Sequence, residues 1–217
     1  MPDTPRLWSW NLSPFAAKAR IAFAFKGIDV ELLEIHPVKR PPRLRELNPT
    51  NRVPVLEVDG VSIRESTAIC EWLEATHPSP SFWPEGAAPA AAARGLMRWV
   101  DDELTVNFFL SMRKASFGVD ERNDHTDIVA NLQGLLVRRW PILEALLERT
   151  GGLWLNEGAD PTLTDFAGMP LAVRLPQWKP ELAPSAEEQP LASAWLEALR
   201  THPLAAEVDR QGTPVEA

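Results

Sequence analysis

Short apolar runs alternate with helical patterns along the first 77 residues of the chain. Residues 6–10 and 29–35 are β-rich runs. Between them, the alanine-rich stretch 14–27 has helical spacing and ends on a glycine suited to a helix C-terminus. A strand, a helix and a second strand in this order are typical of a βαβ unit. The pattern therefore predicts two parallel, neighbouring strands connected by a helix.

The next segment predicts a β-hairpin and one more helix. Two β-rich runs within residues 53–66 are joined by Asp59-Gly60, a dipeptide that favours a two-residue hairpin turn. The proline-broken basic stretch 36–49 precedes the hairpin, and residues 66–78 follow it with helical spacing that a proline stops. Residues 1–79 are thus predicted to form an α/β domain with the order βαβ, an irregular or short helical link, ββ and α.

The rest of the chain has a different pattern. Residues 80–87 are rich in proline, glycine and alanine, which is the composition of a linker. Little strand character follows, so we predict an all-α helical-bundle domain over residues 88–217. Its predicted helices lie near 88–117, 124–149, 163–175 and 190–200. At the start of the third, Thr162 and Asp165 form a pair that resembles a capping box, which we interpret as folding chemistry and not catalysis.

Charge is unevenly distributed along the chain. The formal net charge is -8, yet residues 1–80 carry 10 Lys and Arg against 10 Asp and Glu, which leaves 12 against 20 for the remainder. A nucleic-acid surface requires clustered positive charge, so this class of partner is not expected. The neutral first domain is the part of the chain that could attract an anionic ligand.

The sequence also lacks features that several other classes of protein require. Cys70 is the single cysteine, so it cannot form an intrachain disulfide, and its helical, apolar neighbours predict a buried, inert thiol. The four histidines are scattered, which predicts no metal site. The first residues lack a leader pattern, and no segment approaches the length of a membrane span. We therefore expect a soluble, cytoplasmic protein.

Ser13 directly precedes Pro14 at the predicted start of the first helix. Serine followed by proline is a favourable combination for an N-cap and first helical position. A capping role does not exclude contact with a ligand. Open N–H groups and the positive end of the helix dipole converge at the same place.

Glu65 and Ser66 stand at the end of the hairpin, where the next helix begins. Ser66 could act as an N-cap and nothing more. The helix N-terminus also favours a carboxylate, and Glu65 supplies an acceptor for an amino group. Together the two residues suit a free α-amino acid group, which carries one ammonium and one carboxylate.

Pro54 begins a predicted strand, where its missing N–H is tolerated. The ordinary interpretation is an edge strand entered through a trans proline. In this chain, however, the βαβ unit, Val53-Pro54, the hairpin and the helix "ESTAICEWL" together resemble the thioredoxin-like domain of glutathione transferases. The stretch "SPFAAKARIAFAFKGID" resembles the first helix of the serine and cysteine subfamilies, with serine replacing the cysteine of the omega-like "CPF" and zeta-like residues after it.

The resemblance implies a role for each matching residue. In the family the proline corresponding to Pro54 is cis, and Val53 offers its N–H and C=O to the cysteinyl part of glutathione. Glu65 and Ser66 hold the γ-glutamyl end, Ser13 hydrogen-bonds the sulfur, and Lys39 is the first choice for the glycine carboxylate. Five aromatic residues are implied around the apolar second substrate: Trp10, Phe15, Trp99, Phe108 and Phe109.

The resemblance implies a glutathione S-transferase that uses glutathione as co-substrate and adds its thiolate to a small electrophilic, partly apolar acceptor, as in detoxification. A homodimer is also expected from the family. The chain has no tyrosine, so a tyrosine-dependent mechanism is excluded, and thiol-transferase chemistry is disfavoured without a cysteine at position 13. Two alternatives stay open. One is a glutathione-dependent isomerase, dehalogenase or ether-cleaving enzyme; the other is a non-catalytic relative that binds glutathione or a protein.

Overall fold

A computed structural model of the 217-residue chain describes residues 4–117 and 126–216. These residues fall into two compact units. One unit contains the described residues up to Phe82 together with those from Ala206 onward, and the other runs from Trp83 to Ala205.

The first unit is the predicted α/β domain. Its elements in chain order are β1 (Arg6–Ser9), α1 (Pro14–Lys26), β2 (Glu31–Glu34), α2 (Pro42–Leu47), β3 (Val55–Val58), β4 (Val61–Arg64), α3 (Ser66–Thr76) and β5 (Thr213–Pro214). The described strands form one sheet in the order β4-β3-β1-β2-β5. Strands β1 and β2 are parallel, whereas β3 is antiparallel to both β1 and β4. The predicted βαβ unit, short helical link, hairpin and helix are all confirmed.

The hairpin turn forms where the sequence predicted it. Asp59 and Gly60 have φ angles of 49° and 75°, so both lie in the left-handed region. A two-residue turn of this kind matches the twist of the flanking strands, and glycine adopts this conformation without steric cost. The turn thereby fixes the register in which Val58 faces Val61.

The second unit is helical. Its elements are α4 (Ala87–Trp99), a π-helical segment (Val100–Thr105), α5 (Val106–Phe117), α6 (Thr126–Val137), α7 (Trp140–Thr150), α8 (Leu163–Phe166), α9 (Met169–Trp178), a 3₁₀ turn (Pro180–Leu182), α10 (Pro190–Thr201) and a 3₁₀ segment (Pro203–Val208) that continues into the first unit. The predicted 88–117 helix is therefore divided by a π-helical segment. The predicted break at Gly118 and the first two residues of the predicted 124–149 helix lie outside the described residues.

The unit boundaries differ from the predicted domains at two places. Phe82 is fully buried and its ring stacks 5.5 Å from that of Phe25, so the first unit continues through residues assigned to the linker. The residues from Ala206 onward belong to the first unit, because β5 pairs in parallel with β2. Neither feature produces a periodic pattern in the sequence.

Two further expectations concern single features of the chain. Cys70 is fully buried on α3, as its apolar neighbours predicted. No helix in the described parts of the chain combines the length and apolar character that crossing a membrane requires.

Candidate functional site

Three segments meet at one edge of the sheet. Trp8 of β1 pairs with Val55 of β3, which in turn pairs with Arg64 of β4, so these residues form a row across the sheet. The chain leaves β1, enters β3 and leaves β4 next to this row. The loops brought together are 10–13, 53–54 and 65–66, and we call this region the sheet-edge site.

Ser13 is the N-cap of α1, as its position before Pro14 predicted. Its Oγ accepts a hydrogen bond from the Ala16 N–H at 3.2 Å, and its backbone is extended, with φ -75° and ψ 120°. The residue is 7 % exposed. Among the described residues no acceptor receives the hydroxyl hydrogen, so the cap uses a lone pair of Oγ and leaves the O–H able to donate.

The N-terminus of α3 differs from the simple cap that Ser66 predicted. Glu65 occupies the N-cap position and Ser66 is the first helical residue, and no side chain accepts a capping hydrogen bond there. The capping role for Ser66 is therefore wrong. Ser66 is only 4 % exposed, yet its hydroxyl bonds no other residue that the structure describes.

Glu65 adopts an unusual backbone conformation. Its φ of 69° lies in the left-handed region, which few residues other than glycine, asparagine and aspartate enter. Its side chain is exposed, and its carbonyl accepts the Ile69 N–H at 3.1 Å. A strained residue beside an uncapped helix terminus is typical of a functional site.

The Val53-Pro54 peptide bond is cis. The trans edge-strand interpretation is therefore wrong, and the isomer implied by the family resemblance is confirmed. Asn48 anchors the preceding loop, because its Nδ2 donates to the Arg52 carbonyl at 2.9 Å. Within the described part of the chain, the N–H and C=O of Val53 take part in no hydrogen bond, so both remain able to bind an extended peptide.

Trp10 and Val53 share one apolar cluster, which brings their loops together. Both side chains are partly buried against the same group of buried residues. That group consists of Trp8, Ile35, Leu44, Leu47 and Val55. The short helix α2 thus supports the sheet-edge site by supplying Leu44 and Leu47.

Lys18 is a site neighbour that the sequence did not reveal. It is almost fully buried, its Nζ donates to Thr67 Oγ1 at 3.3 Å, and it lies 5.9 Å from the centre of the Phe15 ring. The contact joins the first half of α1 to the first turn of α3. A lysine in an alanine-rich helix normally lies on the face exposed to solvent, so the sequence did not predict a buried Lys18. Its burial follows from the burial of most of α1, which the sequence pattern does not show.

Lys39 lies in the loop that follows β2. Its side chain is exposed, and the backbone N–H groups of Val38 and Lys39 both donate to His36 Nδ1, at 3.1 and 3.0 Å. Lys39 therefore belongs to a closed turn at the same end of the sheet as Ser9, because β2 runs parallel to β1. Its predicted contact with a carboxylate stays a prediction.

Arg43, another member of the basic stretch, is held by carboxylates. Its guanidinium contacts Glu57 at 2.7 Å and Glu46 at 3.0 Å. Burial alone would raise the pKa of Glu57, but hydrogen bonds from Arg43 and the Trp8 indole outweigh it and lower that pKa. This part of the basic stretch is thus engaged in surface pairing.

The three aromatic residues predicted from the helical unit have different environments. Phe108 is fully buried, and its ring stacks 6.0 Å from that of Trp178, so its contact with an acceptor stays a prediction. Phe109 is also buried and packs edge-on against the same tryptophan. Trp99, the last residue of α4, is partly exposed, and its contact with an acceptor stays a prediction.

In residues 4–117 and 126–216 there is no group of three or more His, Cys, Asp and Glu side chains suited to holding a metal ion.

Known proteins share both the sequence pattern and the fold. Residues 7–81 match the family model described as the N-terminal domain of glutathione S-transferase. The maleylacetoacetate isomerase of Mus musculus is 29 % identical over 185 residues, covering 83 % of this chain and 82 % of that protein. The probable maleylacetoacetate isomerase of Caenorhabditis elegans is 30 % identical over 188 residues, covering 83 % of each.

A solved structure extends the similarity over the whole chain. The glutathione S-transferase of Methylobacterium radiotolerans, crystallised with glutathione sulfonate, superposes with a TM-score of 0.72 at 27 % identity and covers 99 % of both chains. This chain belongs to the glutathione S-transferase superfamily. Its thioredoxin-like N-terminal domain and all-helical second domain have the architecture of that superfamily, whose members matched here are mostly glutathione-dependent enzymes.

Proposed function

We propose that this protein binds glutathione at the sheet-edge site and uses the Ser13 hydroxyl to stabilise the glutathione thiolate, which then adds to a small electrophilic acceptor. The observation that carries the proposal is the hydrogen bonding of the Ser13 hydroxyl. Its oxygen already caps α1, while its O–H retains a free donor at the positive end of the helix.

The energetic demand on Ser13 is modest. A cysteine-type thiol has a pKa of about 8.5, so lowering it by about two units to make thiolate dominant at pH 7 requires about 2.7 kcal/mol. A hydrogen bond to a charged group contributes about 1.5–3 kcal/mol, and a helix N-terminus about 0.3–1 kcal/mol more. One hydroxyl with the α1 dipole is therefore sufficient without a metal ion or general base, and its role is electrostatic.

The remaining site residues would hold the tripeptide. The N–H and C=O of Val53 would pair with the cysteinyl backbone of glutathione. The Glu65 carboxylate would accept from the γ-glutamyl ammonium, while the Ser66 hydroxyl and the uncapped N–H groups of α3 would bind the adjacent carboxylate. Lys39 would meet the glycine carboxylate, and Trp10 and Phe15 are candidates for contact with the acceptor.

Titration of the bound thiol tests this role for Ser13. The ultraviolet absorbance of glutathione thiolate is followed against pH in wild type, Ser13→Ala and Ser13→Thr. We expect Ser13→Ala to raise the pKa of the bound thiol while glutathione affinity changes by less than about three-fold. Threonine keeps the hydroxyl and the capping ability, so Ser13→Thr should retain most of the thiolate. Identical titrations for wild type and Ser13→Ala would remove Ser13 from the mechanism.

Isomerisation of a cis double bond is a second candidate, favoured by the similarity to the two maleylacetoacetate isomerases. The thiolate would add to one alkene carbon, the former double bond would rotate, and elimination would return both the trans alkene and free glutathione. An assay with a cis maleyl compound distinguishes isomerisation from conjugation. Isomerisation converts it without consuming thiol, whereas conjugation consumes one thiol for each acceptor.

A further proposal concerns the oligomeric state of the protein. We propose a homodimer, and a mass from light scattering that equals one chain would contradict it.

Failure to bind immobilised glutathione would favour a module that binds a protein partner. Binding without turnover of any electrophile would favour a non-catalytic glutathione-binding relative.

A further inference from the structure

The loop that precedes Ser13 is held by two side chains from outside it. The Asn11 N–H donates to Glu34 Oε1 at 2.6 Å, and the Asn11 carbonyl accepts from Arg20 Nη2 at 3.2 Å. The turn then closes through the Ser13 N–H, which donates to the Trp10 carbonyl at 2.9 Å. The orientation of the peptide leading into Ser13 is therefore set by Glu34 and Arg20.

The same two side chains bind the segment 206–216. Arg20 donates from Nε to the Glu207 carbonyl at 2.8 Å and from Nη2 to the Val208 carbonyl at 2.7 Å. The second carboxylate oxygen of Glu34 accepts the Gly212 N–H at 3.5 Å. Each side chain thus spans from the Ser13 loop to a segment almost 200 residues later, within the first unit.

Arg20 requires these acceptors because of its burial. It is 1 % exposed although it lies on α1, and its guanidinium also donates to Ser9 Oγ. A buried guanidinium left without acceptors is costly, since water cannot replace them. The carbonyls of Glu207 and Val208 therefore help to fix Arg20 in the position from which it reaches Asn11.

Close packing at Gly212 keeps the segment in place. A Cβ atom at this position would lie 2.5 Å from the Leu32 carbonyl oxygen and 2.8 Å from its Cβ. Such contacts require the backbone to move apart, so only glycine permits this approach to β2. Immediately after it, Thr213 pairs with Leu33, and the Val215 N–H donates to the Glu34 carbonyl at 2.9 Å.

We propose that segment 206–216 is a positioning element for Ser13, acting through the positioning residues Arg20 and Glu34. The inference rests on the proposed role of Ser13 in stabilising the glutathione thiolate. When the segment is displaced, the Asn11 peptide loses its fixed orientation and the Ser13 hydroxyl meets the sulfur in a less favourable geometry. Val53 packs against the same apolar cluster as Val215 of the segment, but in the described part of the chain neither Val53 nor the Ser66 hydroxyl is hydrogen-bonded to Arg20, Glu34 or the segment. Glutathione affinity is therefore expected to change much less than the pKa of the bound thiol.

Gly212→Ala tests the proposal with every loop side chain intact. Gly152→Ala is the matched control, because a Cβ there meets no atom within 4 Å. Glu34→Gln is a second variant with an undisturbed backbone. Both partners of the carboxylate are N–H donors, so the amide nitrogen of glutamine must face one of them. Bound-thiol titration, the acid limb of the kcat/KM profile and glutathione affinity are measured for each variant.

We expect the thiolate fraction at pH 7 to fall about three-fold or more in Gly212→Ala and Glu34→Gln, with glutathione affinity within about three-fold of wild type and Gly152→Ala unchanged. Unchanged titrations in both variants, while Ser13→Ala still raises the pKa of the thiol, would overturn the positioning role alone. Loss of affinity without a change in that pKa would also overturn it, by assigning the segment a purely structural role. If wild type and Ser13→Ala titrate alike, the proposed function itself fails.

Discussion

The indole N–H of Trp195 donates to the carboxylate of Asp165 at 2.9 Å, with both residues fully buried in the helical unit. The same carboxylate accepts the Leu155 N–H at 2.8 Å and the Thr162 N–H at 3.0 Å. Asp165 therefore closes a capping box at the start of α8 and also joins α8 to α10. Burial raises the pKa of Asp165, and the donated hydrogen bonds oppose that effect.

Asp165→Asn is expected to destabilise the fold by about 2 kcal/mol, because one side of the amide presents a donor to groups that are themselves donors. Urea unfolding followed by tryptophan fluorescence measures this loss. Asp160→Asn is a matched control at an exposed position in the preceding loop. Equal stability for Asp165→Asn and wild type would show that the carboxylate contributes no more than an amide would.

Lys26, whose side chain is buried, pairs with the partly exposed Glu74 and so links α1 to α3. Their Nζ and Oε2 atoms are 2.6 Å apart, and Lys26 is also 4.1 Å from the centre of the Phe82 ring. Burial would raise the pKa of Glu74, but hydrogen bonds from Lys26, Ser81 and the Phe82 N–H outweigh it and lower that pKa. A lowered carboxyl pKa stabilises the fold above the ordinary value of 4.5, and this contribution is lost as the pH falls below it.

Glu74→Gln is therefore expected to lose about 3 kcal/mol at pH 7, because it leaves the Lys26 charge buried without its carboxylate. Between pH 7 and pH 3 its free energy of unfolding should fall less steeply than that of wild type. Urea unfolding at a series of pH values measures both effects. The exposed substitution Glu85→Gln should reproduce the wild-type curve, and a parallel curve for Glu74→Gln would contradict the assignment.

Glu144 of α7 caps a different helix. Its two carboxylate oxygens accept the Leu191 N–H at 3.0 Å and the Ala192 N–H at 2.8 Å, in the first turn of α10. Glu144→Ala should lower the free energy of unfolding by about 0.5–2 kcal/mol, the range found for loss of an N-cap. Glu148→Ala, one turn further along α7 and exposed, serves as the control in thermal unfolding. Equal losses in the two variants would indicate a general effect of helix composition.

Local patterns predicted features of both units. Ser13-Pro14, Asp59-Gly60 and the Thr162–Asp165 pair each act within a few residues, and each adopts the conformation that its residue types favour. Their energetics are local, so a single sequence is sufficient to identify them.

Features that depend on distant partners were not predictable in the same way. Strand β5 contains only Thr213 and Pro214, too few residues for any alternation, and its position depends on Arg20 and Glu34. The π-helical segment lies within a stretch whose apolar residues keep a continuous helical spacing. That spacing therefore did not reveal it. At the sheet-edge site, the residue types pointed to Ser66 as a site residue and as a possible N-cap. Ser66 is not the cap, because α3 begins at this residue and Glu65 occupies the N-cap position.

Ser66→Ala separates anchoring of a ligand from capping of α3. The hydroxyl makes no hydrogen bond to any residue in the described part of the chain, so its removal should change the free energy of unfolding by less than about 0.5 kcal/mol. Glutathione affinity should instead fall about ten-fold, because a hydrogen bond to the charged γ-glutamyl carboxylate is lost. Calorimetric titration and urea unfolding measure the two quantities, with Ser193→Ala as the control. A variant that loses about 1 kcal/mol of stability yet binds glutathione normally would show that Ser66 serves the helix and not the ligand.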